Sequence, residues 1–495
     1  MNRIEQLTFT RFVMVLLVLF YHGTSEFYIG RISSPAILSL LKSASMAVSY
    51  LFVLSGFVMS LAYFRPNERF DVLKYWRSRF AKLYPLYGLA FALICLYYAD
   101  SLFRIKPQKI LANIFIVQSW IPSYSQSFNY PAWSMTVEFF FYALFPFFTM
   151  WAYRQTTKNL IWTSVAVWVA SQVFHTVLWS GLFPVYKDFL VYFPPFHLSS
   201  FIIGAVGGIW YVREGKRRKY PDSHVNLILL VSFLILISFF AANGSFFPMF
   251  HELQMMAGMF APIMVVFILS LSLSKNLLSR ALKHPILANF GEASYGIYIL
   301  HIPVLWLFER AFSDLPLDDP SDMLAITYLP IMIFMGLLIY VYVDKPLRRW
   351  LAKLLQKNSL RILLFDIAIL TLSAFLVFRF RFGNGREYES YREMERFVFW
   401  VAFFARIPLA ALFGSLNPII IHRPLNLLIR PLILSISIGS FIITGAVFVG
   451  YSTGWFENFP RSIFLYDWLF VFSLSLLVRL GFRALKVYKP DPIPA

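Results

Sequence analysis

Two ionisable side chains, Arg11 and His22, lie eleven residues apart in an otherwise apolar run near the start of the chain. Eleven residues are about three turns of an α-helix, so the two side chains share one face and lie about 16 Å apart along its axis. An arginine suits an anionic, phosphate-rich molecule, and a histidine deeper in the same crevice can deprotonate a hydroxyl. The alternative is a snorkelling arginine and a histidine that packs between helices. We predict a functional pair, because ionisable groups are costly inside an apolar span.

A second polar line runs along an aromatic segment that begins at Trp133. Ser134, Glu138 and Tyr142 follow one another at intervals of four residues, which places them on one face of a helix. An intramembrane carboxylate can orient or polarise a histidine, although it can also simply pair with an arginine. We predict Glu138 to be catalytic, with Trp133 and Ser134 among the substrate-binding residues.

Further candidates lie in a predicted surface loop at residues 75–85 and in a later apolar run. The loop contains Arg79 and Lys82, whose side chains can share one face beside a phosphate. Positive charge that only orients the neighbouring helices explains them equally well. His301 either lines the cavity or packs between helices. We predict that Arg79 and Lys82 bind the anionic, phosphate-rich molecule together with Arg11, and that His301 contacts substrate.

These residues belong to a chain whose composition points to a membrane. Of its 495 residues, 59% are hydrophobic and only 14% are charged, whereas soluble proteins average about 25% charged residues. Apolar runs of about 20 residues, the length that crosses a bilayer, recur along the sequence. The first run contains Arg11 and is followed by no small-residue cleavage site, which indicates an uncleaved span rather than a secretory signal. The fold class is therefore predicted to be an all-α polytopic membrane protein.

The apolar runs predict ten spans, then a basic amphipathic linker at 345–361, then four more spans. This pattern divides the chain into two domains, 1–355 and 361–495. Residues 110–119 are too short an apolar run to span and are predicted to be re-entrant or interfacial. The approximate limits of the spans are 7–27, 43–64, 83–103, 134–153, 159–180, 196–212, 225–242, 255–274, 292–312, 323–343, 362–380, 397–414, 431–451 and 463–482.

The net charge of +19 is concentrated in alternate loops, at residues 65–82, 213–219 and 345–361. This is the positive-inside pattern, and it predicts a cytoplasmic N-terminus. A predicted outside loop at 379–396 departs from it, because that loop also carries several arginines. Nucleic-acid binding is not expected, since the chain has no soluble basic domain to carry it.

Six short motifs occur in an order that resembles the acyltransferase 3 family of bacterial membrane proteins, which O-acylate lipopolysaccharide, exopolysaccharide and related glycans. The motifs are the Arg11/His22 spacing, residues 51–57, Arg79 to Pro85, Trp133 to Glu138, Ser294 to His301 and Asp344 to Arg348. The resemblance covers about residues 1–355. It implies a ten-helix bundle in the bacterial inner membrane, an acyl-CoA co-substrate that is usually acetyl-CoA, and a glycan or lipid-linked glycan acceptor. It implies no permanently bound cofactor and no metal.

By the same resemblance, Arg11 and His22 match the arginine and the essential histidine of the family. Arg79 and Lys82 match its basic pair, in which arginine is commoner than the lysine found here. This expectation makes His22 a general base, with a covalent acyl-histidine as the mechanistic alternative. Two other functions stay open at this point, a transporter or flippase for a glycan or lipid and a non-catalytic scaffold of polysaccharide assembly.

The last part of the chain resembles a different group of proteins. Residues 361–487 are similar to the four-span N-terminal membrane domain of bacterial nucleotide-sugar dehydratases and epimerases, through motifs that begin at residues 363 and 459. A Gly-x-Gly-x-x-Gly motif is absent from this tail. Asp366 and Asp467 are therefore predicted to pair helices rather than to catalyse. We expect this domain to dock with polysaccharide-assembly proteins.

Overall fold

The structure is a computed structural model that describes residues 4–23, 31–65, 68, 70–98, 105–180, 187–242, 258–312, 320–355, 357–383, 385–458 and 460–485. Across these residues the chain forms helices and turns and no β-strand. Eleven of the described helices are long and apolar enough to cross a membrane. The predicted all-α, multi-pass membrane fold is confirmed.

The chain divides into two compact units, Met1–Leu347 and Arg348–Ala495. The domain limits drawn from the sequence remain predictions. The helices up to this division, which falls within the last of them, are α1 (Gln6–Gly23), α2 (Pro35–Leu41), α3 (Ala44–Tyr63), α4 (Val72–Tyr97), α5 (Pro107–Ile114), α6 (Trp133–Ala152), α7 (Thr157–Trp179), α8 (Lys187–Tyr192), α9 (Leu198–Trp210), α10 (Asp222–Ala242), α11 (Ala261–Leu273), α12 (Leu277–Ala281), α13 (Pro285–Phe312), α14 (Pro320–Ile339) and α15 (Lys345–Leu354).

Helix α4 corrects one prediction, because residues 75–85 are helical rather than a surface loop. The helix begins early because Asp71 caps it, accepting a hydrogen bond of 2.9 Å from the backbone N–H of Lys74. Residues 110–119 form the short helix α5 followed by a 3₁₀ turn at Gln118–Trp120. The outer parts of three predicted spans, at 24–27, 99–103 and 255–257, lie outside the described residues.

Helix α1 presents one face to the interior of the first unit. Between Arg11 and His22, the residues on the same stripe are Val15 and Val18, which are 2% and 1% exposed. Both belong to the main hydrophobic cluster of this unit. The stripe that carries Arg11 and His22 therefore faces the helix bundle and not the lipid.

Small residues allow the helices of this unit to approach closely. A Cβ atom added to Gly56 of α3 would lie 2.1 Å from the carbonyl oxygen of Phe201 in α9, and one added to Gly204 would lie 1.9 Å from that of Val53. No larger residue fits at either position without moving a helix. Gly56 and Gly204 therefore pack α3 closely against α9.

The second unit contains four long helices, α16 (Lys357–Phe382), α17 (Arg386–Leu412), α18 (Leu425–Ser452) and α19 (Arg461–Ala484). The prediction of a loop at 379–396 is wrong, because most of these residues extend α16 and α17. A short connection remains, in which Gly383 has a φ of +65°. The guanidinium of Arg379, in the last turn of α16, lies over the rings of Phe375 and Tyr388.

Two buried ion pairs join the helices of this second unit. Arg479 of α19 donates from both terminal nitrogens to Asp366 of α16, at 2.9 and 2.7 Å. Asp467 of α19 accepts hydrogen bonds from Arg406 of α17 and from Ser373 of α16. Both aspartates therefore connect helices, and the absence of a catalytic role for them stays a prediction.

Candidate active site

His22 and His301 meet across the interface between α1 and α13. Nδ1 of His22 lies 3.0 Å from Nε2 of His301, and the two rings stack with centroids 5.2 Å apart. His301 is fully buried, whereas His22 is partly exposed. The ring of Tyr130 packs edge-on against His22, with centroids 5.0 Å apart. The sequence predicted both histidines separately, but not their contact.

The partners of the histidine pair determine its tautomers. Nδ1 of His301 bonds to the backbone carbonyl of Tyr298, which can only accept, so Nδ1 carries the proton. Nε2 of His301 is then an acceptor, and the Nδ1–H of His22 donates to it. This leaves the lone pair of His22 on Nε2. The geometry thus presents an unprotonated ring nitrogen on the partly exposed histidine.

A proline helps to hold His301 in place. Pro303 lacks an N–H, so it leaves the carbonyl of Ile299 without its helical donor. The side-chain amide of Asn129 supplies that donor at 2.8 Å. Tyr328 of α14 donates to the carbonyl of His301 itself, also at 2.8 Å. The helix segment around His301 is therefore fixed by side chains from two other segments.

Tyr298 connects this pair to the polar line on α6. Its hydroxyl lies 2.9 Å from the hydroxyl of Ser134, and Ser134 also donates to the carbonyl of Pro131 at 2.9 Å. Both side chains are buried. Ser134 therefore lies beside the His301 segment through Tyr298, without contacting a histidine itself.

One turn further along α6, Glu138 accepts hydrogen bonds from Ser55 of α3, at 3.3 Å, and from the hydroxyl of Tyr142. In the described part of the chain, the partners of Glu138 are hydroxyl groups and not a histidine. The carboxylate is thus part of the same polar line, but it has no direct bond to the histidine pair.

Arg79 lies beside the far end of that line. Its guanidinium donates to the hydroxyl of Tyr63 at 2.6 Å and lies over the rings of Tyr63 and Tyr142, at 5.0 and 5.9 Å from their centroids. Its Nε atom is buried with no hydrogen-bond partner in the described structure. Such a donor suits an incoming anion, because an unpaired buried N–H costs free energy.

The remaining predicted residues lie in different surroundings. Arg11 is partly buried on α1 and directly follows Thr10, whose hydroxyl accepts a hydrogen bond of 2.9 Å from Tyr50 of α3. Lys82 is partly buried on α4, one turn after Arg79. Trp133 is buried among aromatic rings, at 5.2 Å from both Tyr192 and His197. The structure thus brings His22, His301 and Ser134 into one network, whereas Trp133 packs to its side.

The described residues form a polar line through the first unit, from Arg79 through Tyr142, Glu138 and Ser134 to the histidine pair. Tyr63, Tyr130 and Tyr298 belong to it and were not predicted as site residues. Their signal in the sequence is weak, because tyrosine is common throughout this chain. Across the described residues, no group of three or more metal-ligating side chains occurs. The chemistry available here is proton transfer at His22, with Arg79 as a basic anchor at the other end of the line.

Comparison with known proteins identifies the family of the chain. The profile of the acyltransferase 3 family, described as an acyltransferase domain, matches residues 4–345. The acyltransferase MdmB of Streptomyces mycarofaciens is 25% identical over 376 residues, which cover 71% of this chain and 93% of that protein. No solved structure matches the chain.

Two other relatives are named by the group they transfer. The peptidoglycan O-acetyltransferase OatA of Listeria monocytogenes is 23% identical over 331 residues, or 62% of this chain and 52% of that protein. The O-acetyltransferase OatA of Staphylococcus aureus is 25% identical over 291 residues, or 54% of this chain and 46% of that protein. The chain spans about half the length of these two relatives. It belongs to the acyltransferase 3 family and is a membrane O-acyltransferase.

Proposed function

We propose that the protein transfers an acyl group, most simply acetyl, from acyl-CoA to a hydroxyl of a cell-surface or lipid-linked glycan. The observation that carries the proposal is the histidine pair. Because His301 has its Nδ1–H committed to a backbone carbonyl, it holds His22 with the Nε2 lone pair available. A neutral imidazole in this state is a general base.

In the proposed reaction, the acceptor hydroxyl gives its proton to Nε2 of His22. The acceptor oxygen bonds to the thioester carbonyl carbon, the carbon–sulfur bond breaks, and the CoA thiolate leaves with the proton returned by His22. The imidazolium that forms in between is stabilised by its Nδ1–H bond to His301. No other group has to change its covalent state.

The donor is proposed to enter at the arginine end of the polar line. Arg79 has a buried N–H without a partner, and Lys82 follows one turn later on the same helix. Arg11 stands on the same stripe of α1 as His22, about 16 Å away. The long, flexible pantetheine arm of CoA suits this separation between a phosphate anchor and a base. With the N-terminus in the cytoplasm of a bacterial inner membrane, this end would face cytoplasmic acyl-CoA.

The acceptor class rests on the relatives. One of them is named as a peptidoglycan O-acetyltransferase, and a glycan hydroxyl is the acceptor that such chemistry implies. We extend that class to this chain. Residues 361–495 lie beyond the matched family region and are proposed to dock with polysaccharide-assembly proteins.

The test replaces His22 with alanine in the full-length protein and measures acetyl transfer from radiolabelled acetyl-CoA to surface glycan in membranes. We expect a loss of at least about 100-fold, as is usual for a general base. The matched control is His224→Ala, since His224 is exposed in the first turn of α10. A correctly inserted H22A protein that keeps transfer within tenfold of wild type would refute the assignment.

A further inference from the structure

A group of aromatic side chains extends from His22 toward the end of α13. Tyr130 packs on His22, the ring of Trp306 lies 6.3 Å from that of Tyr130, and Tyr97 of α4 lies 5.3 Å from Trp306. All three are partly exposed. We call Tyr97, Tyr130 and Trp306 the aromatic shelf.

A carboxylate stands beside the shelf. Glu309 is exposed and lies on α13, about 12 Å along the helix axis from His301. It follows Trp306 of the shelf by three residues on α13, so the two side chains lie on neighbouring positions of one helix face. The backbone before Tyr130 is also unusual, because Phe128 has a φ of +63°. Such a conformation is costly for a bulky residue and is typical of functional sites.

Tyrosine and tryptophan are also common at membrane interfaces, where they anchor helices in the headgroup region. That role requires rings that face lipid. The shelf differs from such separate anchors, since each of its rings packs on the next one. This series of ring contacts ends on His22. The shelf therefore borders the histidine pair.

We propose that the aromatic shelf and Glu309 form the acceptor subsite and bind the pyranose ring of a sugar. A pyranose presents an apolar face of C–H groups, which suits Trp306 and Tyr130, and a rim of hydroxyls, which suits the Glu309 carboxylate. This combination of aromatic walls with few polar groups is the usual composition of a small-molecule site. A ring bound here would present a hydroxyl toward Nε2 of His22. The inference deepens the proposed function and rests on it.

The test is a binding measurement that needs no catalysis. The full-length protein is placed in phosphatidylethanolamine and phosphatidylglycerol nanodiscs without acyl-CoA. Methyl β-glycosides of glucose, N-acetylglucosamine, mannose and rhamnose are the probes, and acyclic sorbitol is the reference. In saturation-transfer difference NMR we expect signals on the axial ring protons of the glycosides and weak signals from sorbitol. Trp306→Ala should raise the glycoside Kd about tenfold.

Two further variants keep the test decisive. Trp306→Phe retains a ring and should restore most of the binding, and Glu309→Gln should weaken it about threefold to tenfold through the lost charge-assisted bond. The control is Trp162→Ala, because Trp162 is 63% exposed on α7. Glycoside signals no stronger than those of sorbitol, or unchanged by Trp306→Ala, would overturn the subsite. Glycoside binding without acetyl transfer by the wild type would instead retain the subsite and refute the proposed reaction.

Discussion

Replacing His301 should show whether it positions the catalytic base. His301→Phe fills much of the space but removes the Nε2 acceptor that holds His22. A hydrogen bond to a charged group contributes about 1.5–3 kcal/mol, and His22 is charged only after it takes the acceptor proton. At about 1.36 kcal/mol for each tenfold in rate, kcat should fall about 10- to 150-fold. KM for acyl-CoA should change little, because His301 has no surface open to the donor.

The matched variant is His301→Gln, whose side-chain oxygen takes a position near that of Nε2 and can accept from His22. We expect it to retain more activity than His301→Phe. The assay is acetyl transfer by purified protein in nanodiscs at saturating acetyl-CoA, with kcat and KM determined separately. A double variant of His22→Ala and His301→Phe should be no slower than His22→Ala alone, because residues that act as a unit are not additive.

Three results would contradict the positioning role. The first is a folded His301→Phe protein with kcat within threefold of wild type. The second is a His301→Gln protein no faster than His301→Phe. The third is a large rise in the KM of acyl-CoA with kcat unchanged, which would move His301 to the donor site.

Other predictions concern the donor anchor and the second unit. Arg11→Lys should raise the KM for acyl-CoA several-fold with a smaller change in kcat, because a point charge replaces a planar fork; an altered KM for the acceptor alone would assign Arg11 to the glycan. Gly439→Ala should lower the free energy of unfolding by about 1–3 kcal/mol, and with it the melting temperature, since its Cβ would lie 2.4 Å from Cγ of Arg406. Gly445→Ala on the same helix has open space and should be neutral or stabilising in the same melting assay; equal melting of both variants would contradict this packing. A chain that ends at residue 356 should turn over acyl-CoA in detergent as the full-length protein does, but acylate less glycan in cells; a folded truncation without turnover would show that the tail contributes to the site.

The sequence predicted the membrane helices well where they are purely apolar. It missed about eleven residues at the start of each of α4 and α17, where arginines and other charged residues precede the apolar run. A hydropathy pattern ends at the first charges, but the helix continues because its backbone hydrogen bonds do not depend on side-chain polarity. The charged side chains are accommodated by the surrounding protein, as Arg79 is by the aromatic rings over which it lies. These contacts come from other helices and carry no local signal.

The candidate site was predicted only in parts that share one helix. The spacing of Arg11 and His22 and the interval between Ser134 and Glu138 follow from the helical repeat, and the structure gives each pair one helix. The bond between His22 and His301 joins residues 279 positions apart. No periodicity predicts which two helices will be neighbours. The tautomer of His22 depends on that contact, so it follows from the tertiary structure alone.

The prolines show the same division between local and tertiary information. Pro146 in α6 leaves the carbonyl of Tyr142 without a helical donor, and Trp76 of α4 donates to it from Nε1 at 3.1 Å. Pro303 has the corresponding effect beside His301. The sequence alone indicates that each freed carbonyl needs a donor inside the membrane, since no bulk water is present there. In the structure both hydrogen-bond donors come from other segments of the chain. Trp76 donates at Tyr142, whose hydroxyl bonds to Glu138, and Asn129 donates at Ile299, close to His301. The two helix interruptions thus lie on the polar line, where they fix the backbone that carries its side chains.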